Sequence, residues 1–228
     1  MQEIKILDFG CGLGGNHKFI SKRGKYVGID ILEANIAYAK KKYGDDFLLF
    51  DGSRIPFADE SFDEVHAYDV LEHVDDLELA LDELDRVLKK NGKIFITIPA
   101  EKSEIFLSKV KPDYFFEVGH KRIVDKKDLL LFFKDRKYGI VSVRPIRGME
   151  ALALSLIFWL KKGRIVEFQT GSPRFNKLLV AFIWIFDGRL FITKLKYLFF
   201  IYLFTLPIGW IISRIFPKTI YLQFRKYD

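Results

Sequence analysis

The chain has 228 residues, half of them hydrophobic, 16% aromatic and 29% charged, with a formal net charge of +7 and a single cysteine. That length suits one domain, or one domain with an elaboration, and the apolar fraction fills a core, which excludes disorder, a collagen-like fibre and a disulfide scaffold. Cys11 has no internal partner, and four histidines beside one cysteine offer no zinc-finger spacing, so a reducing cytosolic setting is expected. The first residues show no basic region followed by a long apolar run, and no signal peptide is expected.

The charge is unevenly placed. Residues 1–146 hold 24 Lys/Arg against 26 Asp/Glu, a net of −2, whereas residues 147–228 hold 13 against 4, a net of +9. The second stretch also carries 18 of the 36 aromatic residues and all three tryptophans, Trp159, Trp184 and Trp210. Two regions with different surroundings are implied.

Ile4-Lys5-Ile6-Leu7 predicts a first strand that runs into Asp8-Phe9-Gly10-Cys11-Gly12-Leu13-Gly14-Gly15 and then a helical stretch through Phe19 and Ile20. Tyr26-Val27-Gly28-Ile29 predicts a second strand closing at Asp30. Residues 34–43 predict a helix whose basic end, Lys40-Lys41-Lys42, suits the negative end of the helix dipole and which Gly44 stops. Residues 47–50 and 62–68 predict strands three and four. Asp75 or Asp76 caps a helix with apolar Leu77, Leu81, Leu84 and Leu88, and Asn91-Gly92 is expected to terminate it. Residues 93–98 predict a fifth strand stopping at Pro99, Asp125 starts another helix, and residues 139–143 predict a sixth strand. Repeated βα units of this length imply a parallel sheet covered on both faces.

A glycine turn from a strand into a helix lets backbone N–H groups and the positive helix end approach a ligand closely. Asp30, twenty residues after Gly10, is placed at a strand end to accept hydrogen bonds from ribose hydroxyls. That much fits NAD as well as S-adenosylmethionine. The spacing Gly10-x-Gly12-x-Gly14 lacks the delayed third glycine of the dinucleotide fingerprint. Asp8, at the strand end, suits a ligand with an amino group and a sulfonium better than a pyrophosphate.

Five blocks in order resemble the class I S-adenosylmethionine-dependent methyltransferases of the type 11 branch: Leu7-Asp8-Phe9-Gly10-Cys11-Gly12-Leu13-Gly14; Gly28-Ile29-Asp30; Asp51-Gly52-Ser53-Arg54-Ile55-Pro56-Phe57 with Asp59-Glu60-Ser61-Phe62-Asp63; Asp69-Val70-Leu71-Glu72-His73-Val74; and Leu88-Lys89-Lys90-Asn91-Gly92-Lys93-Ile94. The resemblance spans roughly residues 4–98, and the weaker Gly119-His120-Lys121-Arg122 extends it to about 146. It implies S-adenosylmethionine as cofactor. Asp8, Gly10, Gly12 and Gly14 would form the wall around the methionine moiety, Asp30 would hold the ribose, Asp51 and Gly52 would border the adenine, and Asp69 would lie beside the sulfonium. Cys11, Ile31 and Ser53 join the implied cofactor-binding set, Cys11 as a residue that fills the loop rather than reacts.

Methyl transfer from a sulfonium is an in-line displacement in which positioning contributes most of the catalysis, and a general base matters only if the acceptor must lose a proton. His120, His73, Glu72 and Asp69 are the candidates. His120 is preferred because it follows a loop that could overhang the fifth strand; otherwise the two histidines merely tie loops together. In some related quinone-pathway O-methyltransferases a cluster like Glu72-His73 is linked to a divalent metal, but two adjacent side chains are too few, and no metal is assigned.

The same family ends with a seventh, antiparallel strand beside the sixth, and Thr219-Ile220-Tyr221-Leu222-Gln223-Phe224-Arg225 alternates as that strand should. The implied fold is α/β: a Rossmann-like, doubly wound, seven-stranded sheet with the last strand antiparallel and a hydrophobic helical insertion between strands six and seven. Its parts are a cofactor-binding core over residues 1–146, an insertion over 147–217 and a returning strand over 218–228. Within the insertion, residues 151–160, 178–186 and 197–213 are uncharged. The last of these runs is just short of a membrane span and is interrupted by Pro207 and Gly209. Lys194, Lys196, Arg214 and Lys218 flank it, with Trp184 and Trp210 as amphipathic anchors. Because strand seven must return to the cytosolic sheet, helices lying in one leaflet fit best, drawn by anionic headgroups.

The expected protein is therefore a methyltransferase acting on an amphiphilic or lipid-linked acceptor, cytoplasmic and peripheral at the inner face of a membrane. The alternatives are a soluble small-molecule methyltransferase whose insertion is a cap or dimerisation element, and a non-catalytic binding or scaffold protein. Nucleic acid is disfavoured, because the aromatics sit in aliphatic runs rather than among polar and basic residues, and the proline-aromatic motif of DNA amino-methyltransferases is absent. Oligomeric state is not legible.

Overall fold

The computed structural model describes residues 3–110, 112–146, 214 and 217–228. Residues 151–160, 178–186 and 197–213, where the sequence places the apolar runs of the insertion, lie outside the described residues. Among the described residues no helix is long and apolar enough to cross a membrane.

The elements are β1 (Lys5–Phe9), α1 (His17–Ile20), a 3-10 turn (Ser21–Arg23), β2 (Lys25–Asp30), α2 (Glu33–Tyr43), β3 (Phe47–Leu49), β4 (Phe62–Tyr68), α3 (Leu77–Val87), β5 (Leu88–Pro99), α4 (Glu101–Val110), α5 (Tyr114–Val118), α6 (Lys126–Asp135), β6 (Tyr138–Ile146) and β7 (Thr219–Lys226). The sheet order is β3-β2-β1-β4-β5-β7-β6. β1 pairs in parallel with β2 and β4, β2 with β3, and β4 with β5. β7 runs antiparallel to both neighbours. Lys218, before its start, meets Ala100 and Ile146 at the ends of β5 and β6, while Lys226 and Tyr227 at its end reach Leu88 and Lys137 at their starts. The seven strands and the reversed last one are as expected. The sheet grows outward from β1 in one direction and then resumes from β1 in the other with β4, so a crevice opens beyond the carboxyl ends of these two strands.

Two compact units divide the chain. The first comprises Met1–Ile98, Val118–Arg144 and Tyr221–Asp228. Its strands are apolar on both faces, with Ile6, Leu7, Ile29, Val65, Ala67, Ile94 and Ile96 fully buried, as a sheet covered on both sides requires. α3 starts where its cap predicts, Asp76 accepting the Leu79 N–H at 3.0 Å, and buries Leu81, Leu84 and Val87. α6 is likewise capped by Asp125, which accepts from the Lys127 N–H at 2.8 Å. The second unit comprises Pro99–Glu117 and the stretch 145–220, of which 145–146, 214 and 217–220 are described. Within it Ala100 N–H donates to the Lys218 carbonyl at 2.8 Å, Ser103 donates to the Pro217 carbonyl, and the Tyr114 hydroxyl donates to Glu104.

Two expectations are corrected. Asn91-Gly92 does not end a helix: α3 stops at Val87, and these residues lie inside β5. The register runs from Phe62 opposite Leu88 to Glu64 opposite Lys93, so the extra residues of β5 bulge out, and Asn91 turns the chain at φ +61°. The stretch before His120 is not an overhanging loop but the helices α4 and α5.

Phe224 of β7 is fully buried and stacks on Phe133 of α6, ring centroids 4.3 Å apart. Phe224→Ala is expected to destabilise the protein by about 3–5 kcal/mol. Asp76→Ala, which removes only a cap, is expected to cost ~1 kcal/mol, both read from urea unfolding midpoints.

Candidate active site

The glycine turn after β1 is built on left-handed backbone: φ is +69° at Gly10, +54° at Gly12 and +74° at Gly14. Gly10 and Cys11 both donate their N–H to the Ile29 carbonyl at 2.9 Å, which folds the turn over the end of β2. A Cβ at Gly10 would stand 2.3 Å from Val70 Cγ2, so any side chain there collides. At Gly12 a Cβ would meet nothing within 4 Å: this glycine borders open space.

That space is a cavity of about 470 Å³, the size class that holds a nucleoside. Gly10, Gly12, Asp30, Ile31, Gly52, Ser53, Asp69 and His73 line it, all expected from the sequence. The Asp30 carboxylate is 8% exposed and engaged on both oxygens. Oδ2 accepts the Gly12 N–H at 2.8 Å, and Oδ1 accepts the Leu32 N–H at 2.9 Å and the Asn35 amide at 3.1 Å. Ile31 is 59% exposed and Leu32 56%, and with Phe50 they give the cavity an apolar side. Asp69 sits at φ +49°. Its N–H donates to Thr97 Oγ1 at 3.0 Å and its Oδ1 accepts the Thr97 hydroxyl at 2.8 Å. Acids at two points and an apolar side suit a nucleoside bearing a positive charge.

Asp8, Cys11, Gly14 and Asp51 are not among the lining residues. Asp8 is 1% exposed and accepts the Tyr26 hydroxyl at 2.8 Å; burial pushes its pKa up from 3.8 to about 7. Cys11 is buried, and desolvation drives its thiol far above the ordinary range, which makes it an unreactive filler. Gly14 faces Tyr43 and Phe47, whose rings a Cβ would meet at 3.0 and 3.1 Å. Asp51 accepts the Ser53 N–H and hydroxyl at 2.9 and 2.8 Å, and these bonds hold its pKa below the ordinary range.

Beyond Asp69 the segment at Gly119 is tied to the loop after β4. Lys121 N–H donates to the Glu72 carbonyl at 2.8 Å, Lys121 Nζ pairs with Asp75, and Arg122 donates to the Val74 and Asp75 carbonyls. His73 Nδ1 lies 2.8 Å from the Gly119 carbonyl. A carbonyl only accepts, so Nδ1 carries the proton and Nε2 is the basic nitrogen of the neutral ring. His120 packs edge-on against His73 with centroids 4.8 Å apart, and its Nε2 is 3.9 Å from buried Glu72 Oε1. His120, the histidine the sequence favours, does not line the cavity; His73 does. Glu72, His73 and His120 bring one ligand atom each within 4.8 Å of one another, a donor set of the type that takes a divalent metal. The sequence suggested only two of these three, because His120 is 47 residues further on.

The sequence reading also missed Asn35, Thr97 and Glu83. Each is a single polar residue in a helix or strand, and only Asn35, in the first turn after Asp30, carried a positional signal.

The strand order, the reversed last strand and the glycine-built cavity at the switch point define a nucleoside-binding fold of the class I methyltransferase type. Among solved structures, a putative methyltransferase from Bacillus halodurans shares it with a TM-score of 0.60 at 17% identity, over 100% of this chain and 94% of that one. Residues 7–96 match the family model described as a methyltransferase domain. Residues 7–96 are thus similar to a methyltransferase domain, set on a fold of the class I methyltransferase type. The chain is 40% identical over 98 residues to sterol 24-C-methyltransferase ERG6B of Gibberella zeae, covering 39% of this chain and 26% of that protein. It is 35% identical over 98 residues to demethylmenaquinone methyltransferase of Streptomyces griseus, covering 40% and 41%. The matches span less than half the length of these curated relatives.

Because Asp8 has a folded pKa of about 7 against 3.8 in the open chain, its neutral form favours folding fully below pH 4. That contribution is lost as pH rises toward 7 and is gone above it. Asp8→Asn is therefore expected to raise Tm at pH 8 and to leave it nearly unchanged at pH 4, as scanning calorimetry at the two pH values will read.

Proposed function

We propose that the chain transfers a methyl group to an amphiphilic or lipid-linked acceptor at a membrane surface. The observation that carries the chemistry is one continuous cavity that joins the Asp30 end, shaped for a nucleoside, to the Asp69 and His73 end. S-adenosylmethionine, when bound, supplies a methyl carbon activated by its sulfonium. The chain's part is to bind and align. Gly10 and Gly12 keep the wall free of side chains, Asp30 accepts the ribose hydroxyls, Gly52 and Ser53 border the adenine beside Ile31, and Asp69 faces the positive sulfur.

If the acceptor must lose a proton, His73 is the base, with Nε2 basic because Gly119 holds the proton on Nδ1. His120 and Glu72 stand behind it as positioning residues. Two observations favour the amphiphilic acceptor: the +9, tryptophan-bearing stretch of residues 147–228, and relatives named for a sterol and for demethylmenaquinone. In this reading residues 1–146 and 218–228 form the catalytic core and 147–217 the docking insertion. The protein is then cytoplasmic and peripheral at the inner face of the membrane.

Lipid extracts incubated with the protein and isotopically labelled donor should yield a labelled apolar product by mass spectrometry. On that product His73→Ala is expected to lower kcat by about 100-fold, flattening its pH profile, and His120→Ala by much less. Equal turnover of all three proteins would remove both histidines from the base role. The protein should also co-sediment with anionic liposomes, less so when Lys194, Lys196, Arg214 and Lys218 are neutralised. A protein that stays in the supernatant at low salt refutes the docking.

A further inference from the structure

Arg86 of α3 does not line the cavity, yet all five N–H groups of its guanidinium are used. Nε donates to Glu83 Oε1 at 2.7 Å, and Nη2 donates to Glu83 Oε2 at 2.6 Å and to the Ile55 carbonyl at 2.9 Å. Nη1 donates to the Phe57 carbonyl and to Asp59 Oδ1, both at 2.8 Å. Glu83 Oε2 accepts in addition the Ile55 N–H at 2.8 Å. Both backbone groups of Ile55, whose side chain is 1% exposed, are thus held by one arginine–glutamate pair.

The stretch between β3 and β4 has no helix or strand of its own to fix it. Two of its cavity-facing residues, Gly52 and Ser53, lie three and two positions before Ile55, and Gly52 turns at φ +87°. Glu83 itself lines the cavity, so the pair stands between the loop and the ligand space. A planar, fully bonded guanidinium fixes two loop carbonyls at defined angles, which an ammonium cannot do. Without it the loop must be ordered at the moment of binding, and that ordering is subtracted from affinity.

We propose that Arg86, acting through Glu83 and Ile55, is a positioning residue that presets the adenosine-bordering loop and thereby sets the affinity for the methyl donor. This rests on the methyltransferase reading above. The donor's reacting end lies at Asp69 and His73, away from this loop, so the pair acts on binding common to ground and transition states, which changes KM and not kcat.

The test titrates S-adenosylhomocysteine calorimetrically into the wild type, Arg86→Lys and Glu83→Gln, and measures kcat at saturating donor. Arg86→Lys is expected to weaken binding about tenfold, equivalent to ~1.4 kcal/mol, with kcat within about twofold. Glu83→Gln, which keeps an acceptor for the Ile55 N–H, is expected to weaken it by less and carries the test alone if Arg86→Lys does not fold. Amide hydrogen exchange at Ile55 should quicken in both variants. Wild-type affinity in the variants, or a fall in kcat with affinity unchanged, overturns the proposal. A wild type that does not bind S-adenosylhomocysteine overturns the donor reading itself, an outcome distinct from the other two.

Discussion

One carboxylate organises the site. Asp30, at the end of β2, ties the glycine turn after β1 to the start of α2 through the Gly12 N–H, the Leu32 N–H and the Asn35 amide. Beside that bridge, the Gly10 and Cys11 N–H bonds to the Ile29 carbonyl fold the turn over the end of β2. A nearly buried carboxylate is tolerable only because each oxygen is met by a donor.

The strand order makes this carboxylate useful. The reversal between β1 and β4 leaves an open crevice at the ends of β1, β2 and β4, so Gly12, Asp30 and Asp69 meet there from three elements. The remaining polar groups of the site serve as props: Thr97 holds Asp69 in a left-handed conformation, and Arg86 holds the loop after β3. At Gly10, Gly12 and Gly52 the wall carries no side chains of its own. Backbone makes the surface, and buried side chains fix the backbone.

The alternation of strands and helices, the glycine turn and the place of Asp30 at the end of β2 were legible because each has a local signature: periodicity, the absence of a Cβ, a fixed distance from Gly10. The family resemblance implied Asp8 in the cavity wall, where an acid suits a ligand with an amino group and a sulfonium. Its position on the same face as Tyr26, set by the register of β1 on β2, buries it instead. Asn91-Gly92 imitates a helix stop because the left-handed geometry that ends a helix also turns a β-bulge. Thr97, Arg86 and the meeting of His73 with His120 were hidden. They depend on contacts across 28, 29 to 31 and 47 residues, which no local pattern encodes.

The central claim is that Asp30 and the glycine turn form a preset site for S-adenosylmethionine. Calorimetric titration of the donor into the wild type and into Asp30→Ala tests it most directly. The account predicts one binding site per chain in the wild type and a loss of at least about 100-fold in affinity in the variant, with the fold retained by circular dichroism. Equal affinity in the two proteins, or no binding to the wild type, would contradict it.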